Sequence, residues 1–298
     1  MTARAHEQGV KQVLDHLSGL MMTLLLLVSF CAAAADPPKS PDPAKTNADV
    51  FFYEDFESGD LSKWDARDGH LPNPNLKVTS DPKNVYSGKY SLEITGPVGL
   101  ETGGSVATWS MPGFDTVYAR WYCKFSEDFD QGNFMHFNRL MGGPPGDYFA
   151  AFGHAGTRPN GRDRFSTGFE PWSGYGKNPS PGAWMFYTYY PDMKADRQGN
   201  FYGNMFMAEP PLILERGRWY CIEMMVKCNM PGKADGEQAA WVDGKEVVHV
   251  TGLRWRDIAE LKVHCFRISL YLHDSPKVNR VWFDNVAVSH SYIGPAAR

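Results

Sequence analysis

Apolar and polar residues alternate along several segments of the chain. In the segment 117–125, apolar side chains take every second position, and Tyr118, Arg120, Tyr122 and Lys124 take the positions between them. Successive side chains of a β-strand point to opposite faces, so this pattern predicts a strand with one face in a core. The other face carries polar and aromatic groups that are able to bind a ligand.

The same alternation recurs in the segments 219–228, 237–250, 265–273 and 279–288. Within the second of these, Asp243-Gly244 separates two alternating runs and predicts a two-residue hairpin turn. Clusters of Gly, Pro and Asn separate the segments, and no helical stripe longer than three turns follows residue 50. The pattern therefore predicts an all-β domain of antiparallel sheets.

One long region, residues 142–182, departs from this alternation. It is dense in Gly, Pro, Arg and Asn. Irregular segments of this length are usually functional, and loops of this kind often form the walls of a binding cleft.

Three regions of different composition divide the chain. Residues 1–35 have a hydrophilic start, a short apolar core and four alanines before Asp36, which is the pattern of a signal peptide. Residues 36–48 are rich in proline and lack aromatic side chains, so we predict a disordered linker. We predict that the remaining residues, 49–298, form one domain. We expect a secreted or periplasmic protein with no membrane contact after signal cleavage.

Composition narrows the range of partners. The net charge of −4 provides no broad basic field, which argues against nucleic acid as a ligand. Aromatic residues make up 14% of the chain, and they either fill a core or form platforms on which sugar rings stack. We predict a polysaccharide as the partner and a monomeric protein.

Four cysteines remain in the predicted domain: Cys123, Cys221, Cys228 and Cys265. An even number permits disulfides in an oxidising compartment, and buried free thiols are the alternative. Cys221 and Cys228 are an odd number of residues apart on one predicted strand and should face opposite sides. We do not predict that these cysteines bind a metal, because the sequence has no CxxC spacing.

Three sequence segments carry a resemblance to a known group of proteins. They are FYEDFESGDLSKW at 52–64, YSGKYSLEI at 86–94 and VWFDNVAV at 281–288. They resemble the glucuronan lyases of polysaccharide lyase family 20 and a related fungal cellulose-induced protein. The resemblance implies a concanavalin-like β-jelly-roll sandwich of two antiparallel sheets, with carbohydrate as the ligand.

The same resemblance implies a structural calcium ion where the first and last strands meet. Its ligands would be Glu57, Ser87, the carbonyl of Tyr90 and Asp284, and Tyr90 stands where the fungal protein has Asn. Calcium prefers six to eight oxygen ligands of this kind. The alternative is that Glu57 and Asp284 are solvated acids at strand ends.

A second resemblance concerns catalysis. NFMHFNRLMGG at 133–143 is similar to the strand on which alginate lyases of polysaccharide lyase family 14 present a catalytic lysine, and His136 takes that place. Tyr187 and Tyr189 are similar to the Tyr-x-Tyr pair of that family. Arg139, three residues after His136, should face the opposite side unless a bulge intervenes.

These residues match the three tasks of β-elimination on a uronate polymer. The carboxylate must be neutralised, the proton at C5 removed and the leaving oxygen protonated. We predict His136, Arg139, Tyr187 and Tyr189 as the catalytic residues, with direct proton transfer requiring them to lie well within about 10 Å of one another. The predicted groove-lining residues are Arg120, Tyr122, Lys227, Trp241, Tyr271 and His273.

Other interpretations remain open at this point. His136 and the two tyrosines are also compatible with a purely structural role in the sandwich, and the protein would then be a noncatalytic carbohydrate-binding protein. Glycoside hydrolysis needs paired carboxylates. The Glu-x-Asp-x-x-Glu pattern of jelly-roll hydrolases is absent, and Glu170 and Glu223 remain acids without an assigned role.

Overall fold

Two antiparallel β-sheets make up the domain in the computed structural model, which describes residues 42–67, 73–132, 135–273 and 275–296. The strands within these ranges are β1 (Val50–Glu54), β2 (Ala66–Arg67), β3 (Leu76–Thr79), β4 (Ser91–Gly96), β5 (Thr102–Phe114), β6 (Thr116–Phe125), β7 (Met135–His136), β8 (Arg139–Gly143), β9 (Phe165–Trp172), β10 (Ala183–Tyr189), β11 (Asn204–Met207), β12 (Tyr220–Lys227), β13 (Gly236–Val242), β14 (Lys245–Leu253), β15 (Lys262–Leu272) and β16 (Asn279–Ser289). Two short 3-10 helices span Pro43–Lys45 and Pro82–Asn84. The predicted signal peptide, residues 1–35, lies outside the described residues.

The strands form a back sheet and a front sheet. The back sheet has the order β14-β13-β12-β6-β16-β4-β3, with β1 paired to β16. The front sheet has the order β11-β10-β9-β8-β15-β5-β2, with β7 paired to β15. Neighbours that are distant in sequence, such as β6 beside β16, are typical of a jelly roll. The predicted all-β sandwich of two antiparallel sheets is confirmed.

The core lies between the sheets and follows the alternation seen in the sequence. On β6, Val117, Trp121 and Phe125 are buried in the main hydrophobic cluster. Phe266 on β15 of the front sheet packs against Trp121, with 5.8 Å between ring centroids. The inward face predicted for segment 117–125 is therefore confirmed.

The predicted hairpin turn joins β13 to β14. Asp243 and Gly244 both have positive φ, 50° and 81°. A two-residue turn of this type matches the twist of the flanking strands and favours Asp-Gly. This prediction is confirmed.

The four cysteines of the domain are buried and free: Cys123, Cys221, Cys228 and Cys265. Cys228 belongs to the main core, whereas Cys221 lies in a separate cluster on the outer side of the back sheet. The prediction that these two face opposite sides is confirmed. Burial raises the pKa of the Cys221 and Cys228 thiols to about 12, so both remain protonated and unreactive at neutral pH.

The last residues of the predicted linker pack against the domain. Asp42 caps the helix Pro43–Lys45 by accepting from the N–H of Ala44 at 3.0 Å. Both Asp42 and Arg120 are buried, and Arg120 donates to Asp42 Oδ1 at 2.9 Å. The prediction of disorder over residues 36–48 therefore does not hold for residues 42–48, because it could not anticipate a partner 78 residues away.

Candidate active site

A cleft with a volume of about 240 Å³ opens on the outer face of the front sheet. Residues that lie opposite one another on β10, β9, β8 and β15 form the floor of the cleft. Tyr187 on β10 lies opposite Gly168 on β9, which lies opposite Arg139 on β8, and Arg139 lies opposite Arg267 on β15. The wall comes from the irregular loop between β8 and β9. The lining residues are His136, Arg139, Met141, Ala151, Phe152, Gly153, His154, Ala155, Arg164, Phe165, Ser166, Tyr187, Tyr189, Arg267, Ser269, Tyr271 and His273.

A break between β7 and β8, in the interior of the front sheet, places His136 and Arg139 on the same side. β7 ends at His136 and β8 begins at Arg139, so Phe137 and Asn138 interrupt the ladder. Ser269 on β15 fixes this break, because its hydroxyl donates to the Phe137 carbonyl at 2.8 Å and its N–H donates to Asn138 Oδ1 at 3.3 Å. Uninterrupted alternation would have separated His136 and Arg139. The irregularity that the sequence interpretation required is present.

Glu170 on β9 lies beneath this pair and is fully buried. Its Oε1 is 2.9 Å from His136 Nδ1, and its Oε2 accepts from the N–H of Phe137 at 3.1 Å. Arg139 reaches the carboxylate at 3.5 Å and His136 Nδ1 at 3.0 Å. Burial opposes ionisation, but attraction to the imidazolium form of His136 and to Arg139 holds the pKa of Glu170 below its usual range. Glu170 is therefore an ionised acceptor.

Glu170 and Arg139 favour opposite tautomers of His136, because the carboxylate accepts from Nδ1 whereas the guanidinium can only donate to it. A carboxylate beside Nδ1 favours the tautomer in which Nδ1 carries the proton, and Arg139 then pairs with the carboxylate instead. In that tautomer Nε2 is the nitrogen with an accepting lone pair. The arrangement gives His136 the form of a general base oriented by an acid.

Tyr187 and Tyr189 lie on the same face of β10, with 3.5 Å between their hydroxyl oxygens. The ring of Tyr187 is 5.0 Å from that of His136, and the Arg139 guanidinium carbon is 5.4 Å from the Tyr187 centroid. All four predicted catalytic residues thus meet in one cleft. Burial, followed by the hydrogen bond with Tyr189, raises the pKa of Tyr187 above its usual range. The charge of Arg139 lowers the pKa of Tyr187 by less than these two effects raise it, so the phenol stays protonated at neutral pH.

Two of the predicted groove-lining residues, Tyr271 and His273, also lie in the cleft. Their rings are 5.8 and 5.3 Å from the ring of His136. Tyr271 donates to Glu101 at 2.6 Å, and this hydrogen bond raises the pKa of Tyr271 to about 12. Burial and the charge of His136 lower the pKa of His273. Both groups therefore bind as neutral side chains at neutral pH.

The structure adds cleft residues that the sequence interpretation missed. Arg267 and Arg164 both line the cleft, so with Arg139 they supply three guanidinium groups. Arg267 shares its alternating strand face with Tyr271 and could have been included on that signal. Gly168 has a steric role: a Cβ there would lie 3.0 Å from Arg139 Cγ and 3.1 Å from Glu170 Oε2. Because Gly168 has no Cβ, it leaves room for the side chains of Arg139 and Glu170.

Four predicted groove-lining residues lie instead on the back sheet. Arg120 and Tyr122 are buried beneath residues from both ends of the described domain: Arg120 donates to Asp42 and to the carbonyl of Gly294, and Tyr122 accepts from the N–H of Ala296 at 2.7 Å. Exposed Lys227 pairs with Glu237 at 2.7 Å. The fourth, half-buried Trp241, stacks beside Tyr292 with 5.1 Å between centroids. These residues do not line the cleft, because alternation assigns a strand face but does not identify the sheet.

The four residues predicted to hold calcium do lie together. However, backbone N–H groups already contact both carboxylates. Asp284 Oδ2 accepts from Tyr86 and Ser87 at 3.0 and 3.1 Å, and Glu57 Oε1 accepts from Lys89 and Tyr90 at 2.8 and 3.0 Å. Within the described residues, no three His, Cys, Asp or Glu side chains are grouped to hold a metal. Amide donors thus contact at least one oxygen of each of these two carboxylates, and calcium stays a prediction from the resemblance.

Comparison with known proteins agrees with this architecture. The sequence profile of the family Polysaccharide lyase 14 matches residues 181–275, which is less than half of the chain. No curated protein sequence matches. The described part of the chain contains no helix long and apolar enough to cross a membrane.

Several solved structures share the fold. The PL-14 alginate lyase of Aplysia kurodai has a TM-score of 0.64 at 14% identity, covering 81% of this chain and 99% of that one. The alginate lyase vAL-1 from Chlorella virus has a TM-score of 0.61 at 18% identity, with coverages of 81% and 100%. The endo-β-1,4-glucuronan lyase of Trichoderma reesei has a TM-score of 0.52 at 17% identity, with coverages of 84% and 100%. This chain has a jelly-roll fold similar to that of these polysaccharide lyases, and one part of it matches the profile of a polysaccharide lyase family.

Proposed function

We propose that this protein is a secreted lyase that cleaves a uronate-containing polysaccharide by β-elimination. The observation that carries the proposal is the convergence of His136, Arg139, Tyr187 and Tyr189 in one cleft above the buried carboxylate of Glu170. The alginate and glucuronan lyases that share the fold support this class of substrate. The family match over residues 181–275 includes the two tyrosines.

The charges of the cleft suit a polyanion. Arg139, Arg164 and Arg267 line it, and guanidinium groups bind carboxylates with paired hydrogen bonds. Neutralising the uronate carboxylate lowers the barrier to removing the C5 proton, because negative charge develops on that carboxylate as the proton leaves. Arg139 and Arg267 are neighbours across β8 and β15, so they are our assignment for this task.

The elimination step balances with the residues present. Nε2 of His136 takes the C5 proton, the C5–H electron pair forms the C4–C5 double bond, and the C4–O bond breaks. Tyr187 donates its phenolic proton to the leaving oxygen, consistent with its raised pKa. The imidazolium then gives up its proton to solvent, and the phenolate takes one from solvent. Both groups regain their starting forms.

Hydrolysis is less well supported by the site. The cleft-lining side chains, all from the described part of the chain, include no aspartate or glutamate. Glycoside hydrolases commonly place two carboxylates on either side of the bond to be broken. Glu170 is buried beneath His136 and has no second acid opposite it in the lining.

Ultraviolet absorbance of the unsaturated product tests the proposal directly. Wild-type protein is mixed with alginate, glucuronan and other uronate polymers, and we expect absorbance to rise with at least one of them. His136→Ala should abolish the rise. The matched control is His249→Ala, because His249 is an exposed histidine on β14 of the back sheet. Retention on a polymer without any absorbance change would instead assign a noncatalytic binding protein.

A further inference from the structure

Aromatic side chains continue beyond the cleft on the same face of the molecule. Trp109 on β5 is half-buried, and Tyr148 and Phe149 in the loop between β8 and β9 are 47% and 61% exposed. We refer to these three residues as the aromatic platform. Clusters of large exposed apolar groups are uncommon on soluble monomers and usually mark a binding surface.

Contacts within the platform hold its rings in place. Trp109 lies edge-on to Tyr148 and Phe149, with centroid distances of 6.0 and 5.6 Å. Its indole N–H donates to the Tyr148 carbonyl at 2.9 Å, which ties the loop to the sheet. Rigid rings lose little entropy on binding and so suit a ligand with a flat apolar face.

The platform is continuous with the cleft. Phe149 contacts Phe152, which lines the cleft, at 5.4 Å between centroids. The Arg267 guanidinium carbon is 5.3 Å from the Phe152 ring centroid. Aromatic and cationic groups therefore alternate from the cleft to the platform, as expected for a polymer whose sugar rings each have an apolar face and a carboxylate edge.

Strand geometry gives the spacing between the two regions. Tyr271 lies opposite His136, and Cys265 on the same strand lies opposite Trp109. Six residues of an extended strand span about 20 Å. This separation exceeds the size of a single sugar ring, so a ligand that reaches both regions must be a chain of several sugars.

We propose that the aromatic platform is a distal subsite that stacks on sugar rings of the polymer outside the cleft, while Arg267 receives a carboxylate between the two regions. The inference rests on the proposed function of the cleft and adds a preference for long chains. Because the platform is remote from His136, it contributes to binding and leaves the chemical step unchanged.

The test compares Phe149→Ala and Tyr148→Ala with wild type on the polymer that wild type cleaves best and on its trisaccharide. We expect KM for the polymer to rise about five- to tenfold in each variant, with kcat unchanged and with trisaccharide kinetics unchanged. Tyr292→Ala is the matched control, since Tyr292 is 41% exposed but lies beside Trp241 of the back sheet. Its kinetics should equal those of wild type.

The outcomes separate the inference from the proposed function. If wild type cleaves a polymer and both platform variants retain its KM, the distal subsite is refuted and the cleft assignment stands. If wild type neither cleaves nor binds any uronate polymer, both fail. If wild type dimerises and Phe149→Ala makes it monomeric without changing KM, the platform is a self-association surface and the subsite is overturned.

Discussion

Removing the carboxylate of Asp42 should destabilise the whole domain. Arg120 is fully buried, and Asp42 accepts from both of its terminal nitrogens. The other acceptors for these nitrogens are the carbonyls of Gly294 and Asn285, each at 3.1 Å. Asp42→Ala therefore leaves a buried positive charge with uncharged acceptors only. Breaking one partner of a buried ion pair costs about 3–5 kcal/mol.

For a domain of this size, 1 kcal/mol corresponds to roughly 2–4 °C, so Tm should fall by about 6–20 °C. Urea denaturation would measure the free energy of unfolding, and scanning calorimetry would measure Tm. Asp128→Ala is the control, because Asp128 pairs with Lys277 on the surface and such pairs contribute about 0–1 kcal/mol.

The double variant Asp42→Ala with Arg120→Met distinguishes the mechanism. If the cost arises from an uncompensated buried charge, removing the charge as well should recover a large part of the lost stability. A loss below about 1 kcal/mol for Asp42→Ala alone, as expected of an exposed pair, would refute the reasoning. It would mean that residues 42–48 are not docked on the domain in solution.

Three further predictions follow from the site and from buried acids. Glu170→Gln should lower kcat about 100-fold or more, because His136 loses the charge that orients it; an unchanged kcat in steady-state assays would contradict this. Because burial raises the pKa of Glu223 to about 7 from 4.5, its stabilisation is complete at acid pH and is lost as pH rises to 7. The unfolding free energy of wild type minus that of Glu223→Gln should therefore fall over that range. A pH-independent difference would count against the raised pKa. EDTA should leave Tm unchanged if amide donors satisfy Glu57 and Asp284, and a fall of several degrees would show that calcium binds there.

The sequence by itself determined the class of fold and the faces of individual strands. Alternation placed Val117, Trp121 and Phe125 in the core and put Tyr187 and Tyr189 on one side. These are local properties, since the period of two fixes the direction of each side chain once a segment is extended. The shared face of Tyr187 and Tyr189 could therefore be predicted without knowing which strands are neighbours.

The tertiary structure decided which of these faces form the site. The polar faces of β6 and β15 look alike in sequence, yet Arg120 is covered by Asp42 and Gly294, whereas Arg267 lines the cleft. Glu170 contacts His136, 34 residues away, only because β9 lies beside β8 in the front sheet. The joint position of His136 and Arg139 depends on a break held by Ser269 of another strand. Sheet order and strand breaks depend on contacts between distant segments, and periodicity along one strand carries no information about them.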